Sequence, residues 1–95
     1  MKISNKTTVV VAEDIISCEL EGEAAILNMS DGTYYGLNPI GSKIWNWIQK
    51  PTKLDEIVTL VMKEYEVDTE ICQIDVQKLI NDLLSHGLVK LNADT

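Results

Sequence analysis

The residues that could do chemistry are one histidine, two cysteines and a set of scattered carboxylates. A cysteine beside a histidine could serve as a nucleophile with its base, or both could ligate a metal ion. Cys18 and Cys72 are too few and too far apart for a metal motif, and a cytosolic setting favours free buried thiols over a disulfide. His86 lies at the end of a predicted helix, where the helix dipole favours a cation. We therefore predict that the protein is not an enzyme and that it holds no metal ion or cofactor.

Composition places the chain among soluble globular proteins. Its 95 residues form one domain, 1–95, with 45% hydrophobic and 24% charged residues. No apolar run approaches the roughly 20 residues of a membrane span, and the N-terminus lacks the apolar core of a signal peptide. We expect a cytoplasmic protein that does not engage a membrane. The net charge of −7 argues against a nucleic-acid surface, which needs clustered Lys and Arg.

The segment 31–45 joins a β-rich first half to a helical second half. Asp31 and Gly32 are typical of a type I′ hairpin turn, in which both central residues have positive φ. Residues 33–37 suit a pleated strand. Asn38 can cap a helix, and Pro39 suits its first position. The segment therefore predicts a hairpin followed directly by a helix.

Three earlier runs complete the predicted strands. The run 7–12 is rich in β-branched residues, and 24–29 leads into the hairpin. The run 16–20 alternates, so Ile16, Cys18 and Leu20 share one face, which we expect to be the buried one. Together 16–20, 24–29 and 33–37 predict an antiparallel meander.

Helical periodicity dominates after residue 38. Helices are predicted over 39–49, from 54 onward after a capping box at 52–55, and over 70–86, with a last short strand at 88–91. Gly41 indicates a close approach to the first helix, while the chain ends, 1–6 and 92–95, are expected to be loose. The apolar stripes are Ile40, Ile44 and Ile48; then Leu54, Ile57, Val58, Val61, Met62 and Tyr65; then Cys72, Val76, Leu79, Ile80 and Leu83. Ile71 and Ile74 lie off the third stripe.

Two helices, a short turn and a final strand are typical of a winged helix-turn-helix, whose usual function is DNA binding. The third helix offers Glu70, Asp75 and Asp82 against Lys78 alone. A recognition helix normally brings basic or amide side chains to the bases. The charges therefore argue against DNA, which stays as an alternative function.

The strand 33–37 also suits a different role. An uncovered edge strand can receive a peptide as an added strand, or pair with a second copy in a homodimer. Tyr34 and Tyr35 point to opposite faces of this strand, so that one can pack in the core while the other meets a ligand. That both simply pack is the alternative.

The segment 34–45 resembles the Tyr-x-Leu-Asn-x-x-Gly-x-x-Ile-Trp signature of the PqqD-like family. Weaker matches follow at Thr52-x-Leu54, Tyr65-x-Val67, Asp75-Val76 and 83–89, so the resemblance runs from about Val9 to Leu91. Members of this family are RiPP recognition elements, small domains that capture the leader segment of a ribosomally made precursor peptide and act as peptide chaperones.

The resemblance implies an α+β, winged-helix-like fold, with a three-stranded antiparallel sheet packed on three helices and a possible extra N-terminal strand. It implies that the leader pairs with strand 33–37 and lies against the third helix. Backbone pairing would use Thr33, Tyr35 and Leu37, or else Tyr34 and Gly36. The implied peptide-binding residues are Thr33, Tyr34, Tyr35, Gly36, Leu37, Asp75, Val76, Leu79, Ile80 and Leu83, with Tyr34 lining a pocket beside the helical residues.

A free-standing chain of this size is most similar to the separate leader-binding protein of lasso peptide systems. That likeness implies three partners: the leader peptide, a leader peptidase of the cysteine-protease type, and an ATP-dependent macrolactam synthetase. The alternative within the family is a peptide chaperone that works with a radical SAM enzyme.

Overall fold

The computed structural model describes residues 6–92. The loose ends predicted at 1–6 and 92–95 therefore lie almost entirely outside the described residues. Within 6–92 the chain forms three helices and six strands, which confirms the α+β class. In chain order they are β1 (Thr8–Val11), β2 (Ile15–Leu20), β3 (Glu23–Asn28), β4 (Thr33–Gly36), α1 (Pro39–Trp47), β5 (Thr52–Lys53), α2 (Leu54–Glu64), α3 (Thr69–Ser85) and β6 (Val89–Asn92).

The predicted N-terminal strand is confirmed as β1, which forms the centre of a separate three-stranded antiparallel sheet, β5-β1-β6. The strand β5 replaces the predicted capping box. Thr52 pairs with Val9 and is buried, and its hydroxyl lies 2.7 Å from the Lys50 carbonyl. With its hydroxyl used there, Thr52 does not cap α2; the N-cap residue is Lys53, which makes no side-chain cap bond.

The predicted meander is confirmed as a second antiparallel sheet in the order β2-β3-β4. Its two hairpin turns differ from expectation. Glu21 and Gly22 both have positive φ, 55° and 81°, so the type I′ turn joins β2 to β3. At the next hairpin only Gly32 has positive φ, and its N–H donates to the Asn28 carbonyl at 2.8 Å, which closes a longer loop. The type I′ turn predicted at Asp31 and Gly32 is therefore wrong.

The face of β2 that was expected to be buried is exposed. Ile16, Cys18 and Leu20 point to solvent, and Leu20 is 76% exposed. The opposite face lies over α1, where the Trp45 indole N–H donates to the Ser17 hydroxyl at 3.0 Å. The buried indole finds its acceptor on this polar face, so the alternation of β2 is inverted relative to the core.

The helix α1 begins as predicted. The Asn38 side chain accepts a hydrogen bond from the Gly41 N–H at 2.8 Å. A Cβ atom at Gly41 would lie 3.1 Å from the Asn38 Oδ1 and 3.2 Å from Leu37, so the predicted close approach is made by the cap itself. Ile44 and Ile48 are buried as expected, whereas Ile40 is 41% exposed.

One core joins the helices to both sheets. The helix α3 starts after Asp68, which accepts a hydrogen bond from the Glu70 N–H at 2.9 Å, and packs on α2. Ile71 and Ile74 remain exposed, as their place off the stripe predicts. No helix in residues 6–92 is both long and apolar enough to cross a membrane. The most completely buried large side chains are Val9, Ile26, Ile44, Ile48, Leu54, Ile57, Ile80, Leu83 and Leu88.

Candidate functional site

The outer edge of β4 presents unpaired backbone. The Leu37 N–H donates to the Ala24 carbonyl at 2.8 Å, so these two residues form a hydrogen-bonded pair of the β3–β4 ladder. Such pairs alternate along an antiparallel ladder, which makes Tyr35 and Ile26 the next one. Tyr34 and Gly36 occupy the alternate positions of the strand, so their N–H and C=O groups point away from β3. Since β4 is the last strand of its sheet, these four groups face solvent.

The two tyrosines of β4 have separate environments. Tyr35 points to the inner face, is half-buried and packs against the core. Its ring meets that of His86 edge to face, with centroids 4.8 Å apart. Burial raises the pKa of the Tyr35 phenol, and the Asp82 carboxylate raises it further. Tyr34 points to the outer face with Leu27 and is 74% exposed, so only one tyrosine packs.

The other two predicted strand residues bracket this edge. Thr33 is exposed, and its hydroxyl donates to the Asp31 carboxylate at 2.7 Å. This bond, together with a second from the Thr33 N–H, lowers the pKa of Asp31. Leu37 is buried, because it has already left the edge for the loop that enters α1. The hairpin end of β4 is therefore fixed by Asp31, and the far end is fixed by the core.

The C-terminus of α3 is fixed beneath the same hairpin. The Asn28 side-chain amide is buried; its Nδ2 donates to the His86 carbonyl at 3.1 Å and its Oδ1 accepts from the Ser30 N–H at 3.0 Å. The His86 Nδ1 lies 2.7 Å from the Asp82 carbonyl, a distance at which the nitrogen must carry the proton and donate. The first two bonds hold the hairpin between β3 and β4 to the C-terminal end of α3.

The α3 residues predicted to bind peptide divide into two groups. Val76, Ile80 and Leu83 are 3% exposed or less and lie in the core. They can support a binding surface only from beneath it. Asp75 is exposed and Leu79 is half-buried at the edge of the core. Of the five α3 residues predicted to bind peptide, therefore, only Asp75 and Leu79 present surface to solvent.

Sequence reasoning considered Asp82, beside Asp75, as a partner for leader lysines but left His86 out of the site. Asp82 and His86 continue the line of Asp75 and Leu79 at helical spacing and reach Tyr35. The helical spacing of these four residues is visible in the sequence, but the residues lie between the apolar stripe and the solvent-facing side of α3. Only the contact of Tyr35 with His86 distinguishes this line from an ordinary helix border.

The groups considered first for chemistry do not come together. Both cysteines are free; Cys72 is buried, and burial raises the pKa of its thiol, whereas Cys18 is exposed, contrary to expectation. Within residues 6–92, no three side chains of His, Cys, Asp or Glu form a group that could hold a metal ion. The site is therefore built from backbone groups and a helix flank.

Comparisons with known proteins agree with this architecture. A structure of TbiB1 in complex with the TbiA(β) leader peptide is 28% identical; the match covers 90% of this chain and 99% of that one, with a TM-score of 0.82. A lasso peptide synthetase B1 complexed with its leader peptide is 18% identical over 86% of this chain and 96% of that one, with a TM-score of 0.77. The second likeness shows the shared fold alone. No curated protein gives a significant match.

A family model supplies the assignment. The model described as coenzyme PQQ synthesis protein D (PqqD) matches residues 23–89. That range runs from the start of β3 to the start of β6 and includes the β4 edge and all three helices. The chain therefore belongs to the PqqD family.

Proposed function

We propose that the protein binds the leader segment of a ribosomally made precursor peptide as an added strand on β4. The observation that carries this proposal is the unpaired edge at Tyr34 and Gly36, fixed beside α3. An extended peptide can satisfy four backbone groups there, and its alternate side chains then meet pockets on either side of the sheet. TbiB1, the relative that is 28% identical, is in complex with a leader peptide, which supports the same ligand class.

The flank of α3 gives the bound peptide its second wall. Leu79 offers apolar surface, and Asp75 and Asp82 offer carboxylates that can pair with lysines of a leader. On this proposal Tyr35 lies beneath the peptide and fixes the distance between strand and helix. The backbone bonds give affinity with little dependence on the peptide's sequence. The side chains of the α3 flank select among peptide sequences.

The protein acts as a non-catalytic adaptor on this proposal. It raises the effective concentration of the precursor at a leader peptidase of the cysteine-protease type and at a macrolactam synthetase. A radical SAM enzyme is the alternative partner. DNA binding is disfavoured, since the exposed charged residues of α3 are three carboxylates and one lysine.

A fluorescence anisotropy titration tests the proposal directly. The probe is a labelled synthetic leader peptide from the precursor encoded beside this gene. A labelled DNA duplex is the comparison. We expect low-micromolar or tighter peptide binding and no DNA binding at physiological salt. Absence of peptide binding by a protein that is folded by circular dichroism would refute the proposal.

A pair of proline variants locates the binding edge. Gly36→Pro removes an outward N–H, which a sheet edge tolerates, and it places a ring where the peptide would pair. Glu19→Pro makes the matching change on β2. The Asp14 carbonyl bonds to the residue directly after β3, and hydrogen-bonded positions alternate along the strand from Asp14 to Leu20. Glu19 lies between two of these positions, so its N–H points away from β3. Gly36→Pro should abolish binding and Glu19→Pro should preserve it. The reverse pattern would assign the peptide to β2.

A further inference from the structure

An open cleft of about 450 Å³ lies where β4 leaves the meander for α1. Leu20, Ala24, Ala25 and Leu37 supply apolar surface, and Gly36 lies in its lining. Glu23 and Asn38 add polar atoms. Gly36 therefore belongs to two features at once, the cleft and the unpaired edge of β4.

The outer face of the meander has a step at this point. The ladder register places Cys18, Ala25 and Gly36 in one row across the three strands. The neighbouring row contains larger side chains, with Tyr34 at the edge and Leu27 behind it. A Cβ atom built at Gly36 would meet nothing within 4 Å. The row of Cys18, Ala25 and Gly36 is thus a shallow depression, here called the floor, and the larger side chains of the neighbouring row border it.

We propose that this floor is a subsite for one large apolar side chain, aromatic by preference, of the peptide strand bound at β4. The inference rests on the proposed function. Whichever direction the peptide runs, its residue opposite Gly36 projects its side chain to the same face as Gly36. Glycine leaves that space empty, and an aromatic ring on a neighbouring strand is the usual group that covers an edge glycine.

Distances across the row define which residues the ring reaches. Strands lie about 4.8 Å apart, so Gly36, Ala25 and Cys18 are one, two and three strand spacings from the peptide. A large side chain that lies flat over Gly36 touches Ala25 but does not span the further strand to Cys18. A peptide held by backbone pairing alone would touch neither residue. Ala25 therefore reports on the subsite, and Cys18 is its matched control.

The experiment compares Ala25→Leu with Cys18→Leu, both of which place the same side chain on the same row. Both positions face the outer surface, so both variants should fold, as circular dichroism checks. Filling the floor at Ala25 should weaken binding of the labelled leader about tenfold. The Cys18→Leu protein should bind like the wild type, within about twofold.

An alanine scan of the peptide completes the test. One large apolar leader residue should lose about tenfold in affinity when replaced by alanine on the wild type, and little more on Ala25→Leu, because both changes remove the same contact. Additive losses at every peptide position, or wild-type affinity of Ala25→Leu, would overturn the subsite and leave strand addition standing. No binding by the wild type would instead refute the proposed function. A dimer in sedimentation that Ala25→Leu dissociates would assign the floor to a second copy and overturn the subsite.

Discussion

The rings of Tyr35 and His86 meet edge to face, with centroids 4.8 Å apart and planes inclined by 69°. This contact joins the inner face of β4 to the C-terminal end of α3. Together with the bond from Asn28 to the His86 carbonyl, it ties the β3–β4 hairpin to the C-terminal end of α3.

Replacing Tyr35 by Phe should change the response of stability to alkaline pH. Burial raises the pKa of this phenol above 10.0, so the folded state resists its ionisation more than the unfolded chain does. The stabilisation is complete below the unfolded value and is lost as pH rises through the folded value. Tyr35→Phe should therefore gain stability relative to wild type above pH 10.0. Urea unfolding on both sides of that pH measures this, and an equal difference at both would contradict it.

Asn28→Ala should destabilise the protein by about 1–3 kcal/mol, because it leaves a carbonyl of His86 and an N–H of Ser30 without their partner. The same substitution at Asn46, whose amide bonds the exposed Glu19 carboxylate, should cost less than about 0.5 kcal/mol. Thermal unfolding of both variants provides the comparison. Equal effects would mean that the buried amide does not secure the hairpin to α3.

Two leucines of α3 should separate binding from stability. Leu83 is fully buried, so Leu83→Ala should cost about 2–5 kcal/mol of unfolding free energy. Leu79 is half-buried at the edge of the core, so Leu79→Ala should cost less stability, and on the proposed function it should weaken leader binding. Chemical denaturation and anisotropy measure the two effects. Unchanged leader affinity in a folded Leu79→Ala protein would remove the α3 flank from the site.

The carboxylates of that flank predict a salt-dependent affinity. If leader lysines pair with Asp75 and Asp82, added salt should weaken binding by screening, and Asp82→Asn should flatten that dependence. Asp55→Asn on α2 removes an equal charge from an exposed position elsewhere and should leave the salt dependence unaltered. Anisotropy titrations over a range of NaCl concentrations decide the matter. Affinity that is independent of salt in the wild type would exclude the pairing.

The local signals of the sequence predicted much of the fold. Asn38 and Pro39 marked the start of α1 because a cap depends only on neighbouring residues. The stripe through Cys72, Val76 and Leu83 marked the buried side of α3 for a similar reason. The face of β2 was predicted wrongly because the alternation of apolar side chains does not reveal that Trp45 needs a polar partner on Ser17.

The site itself was less predictable, because it depends on pairing between distant residues. Sequence left open whether Tyr34 and Gly36 or their neighbours face outward. One bond, from the Leu37 N–H to the Ala24 carbonyl, decides this for the whole strand. The contribution of His86 likewise follows from its contact with Tyr35, which no local pattern encodes. These are tertiary relationships between elements far apart in the chain.

The meander has a second outer strand, β2, on the side opposite β4. The two edges are different, so a contact from β4 of one molecule to β2 of the next would not close into a symmetric dimer. Such contacts would repeat without limit and lead to insoluble filaments. A leader bound on β4, as proposed, would block one of the two edges needed for growth. Saturation with leader peptide should therefore raise the highest concentration at which the protein remains monomeric. The bound peptide would then also limit self-association of the protein.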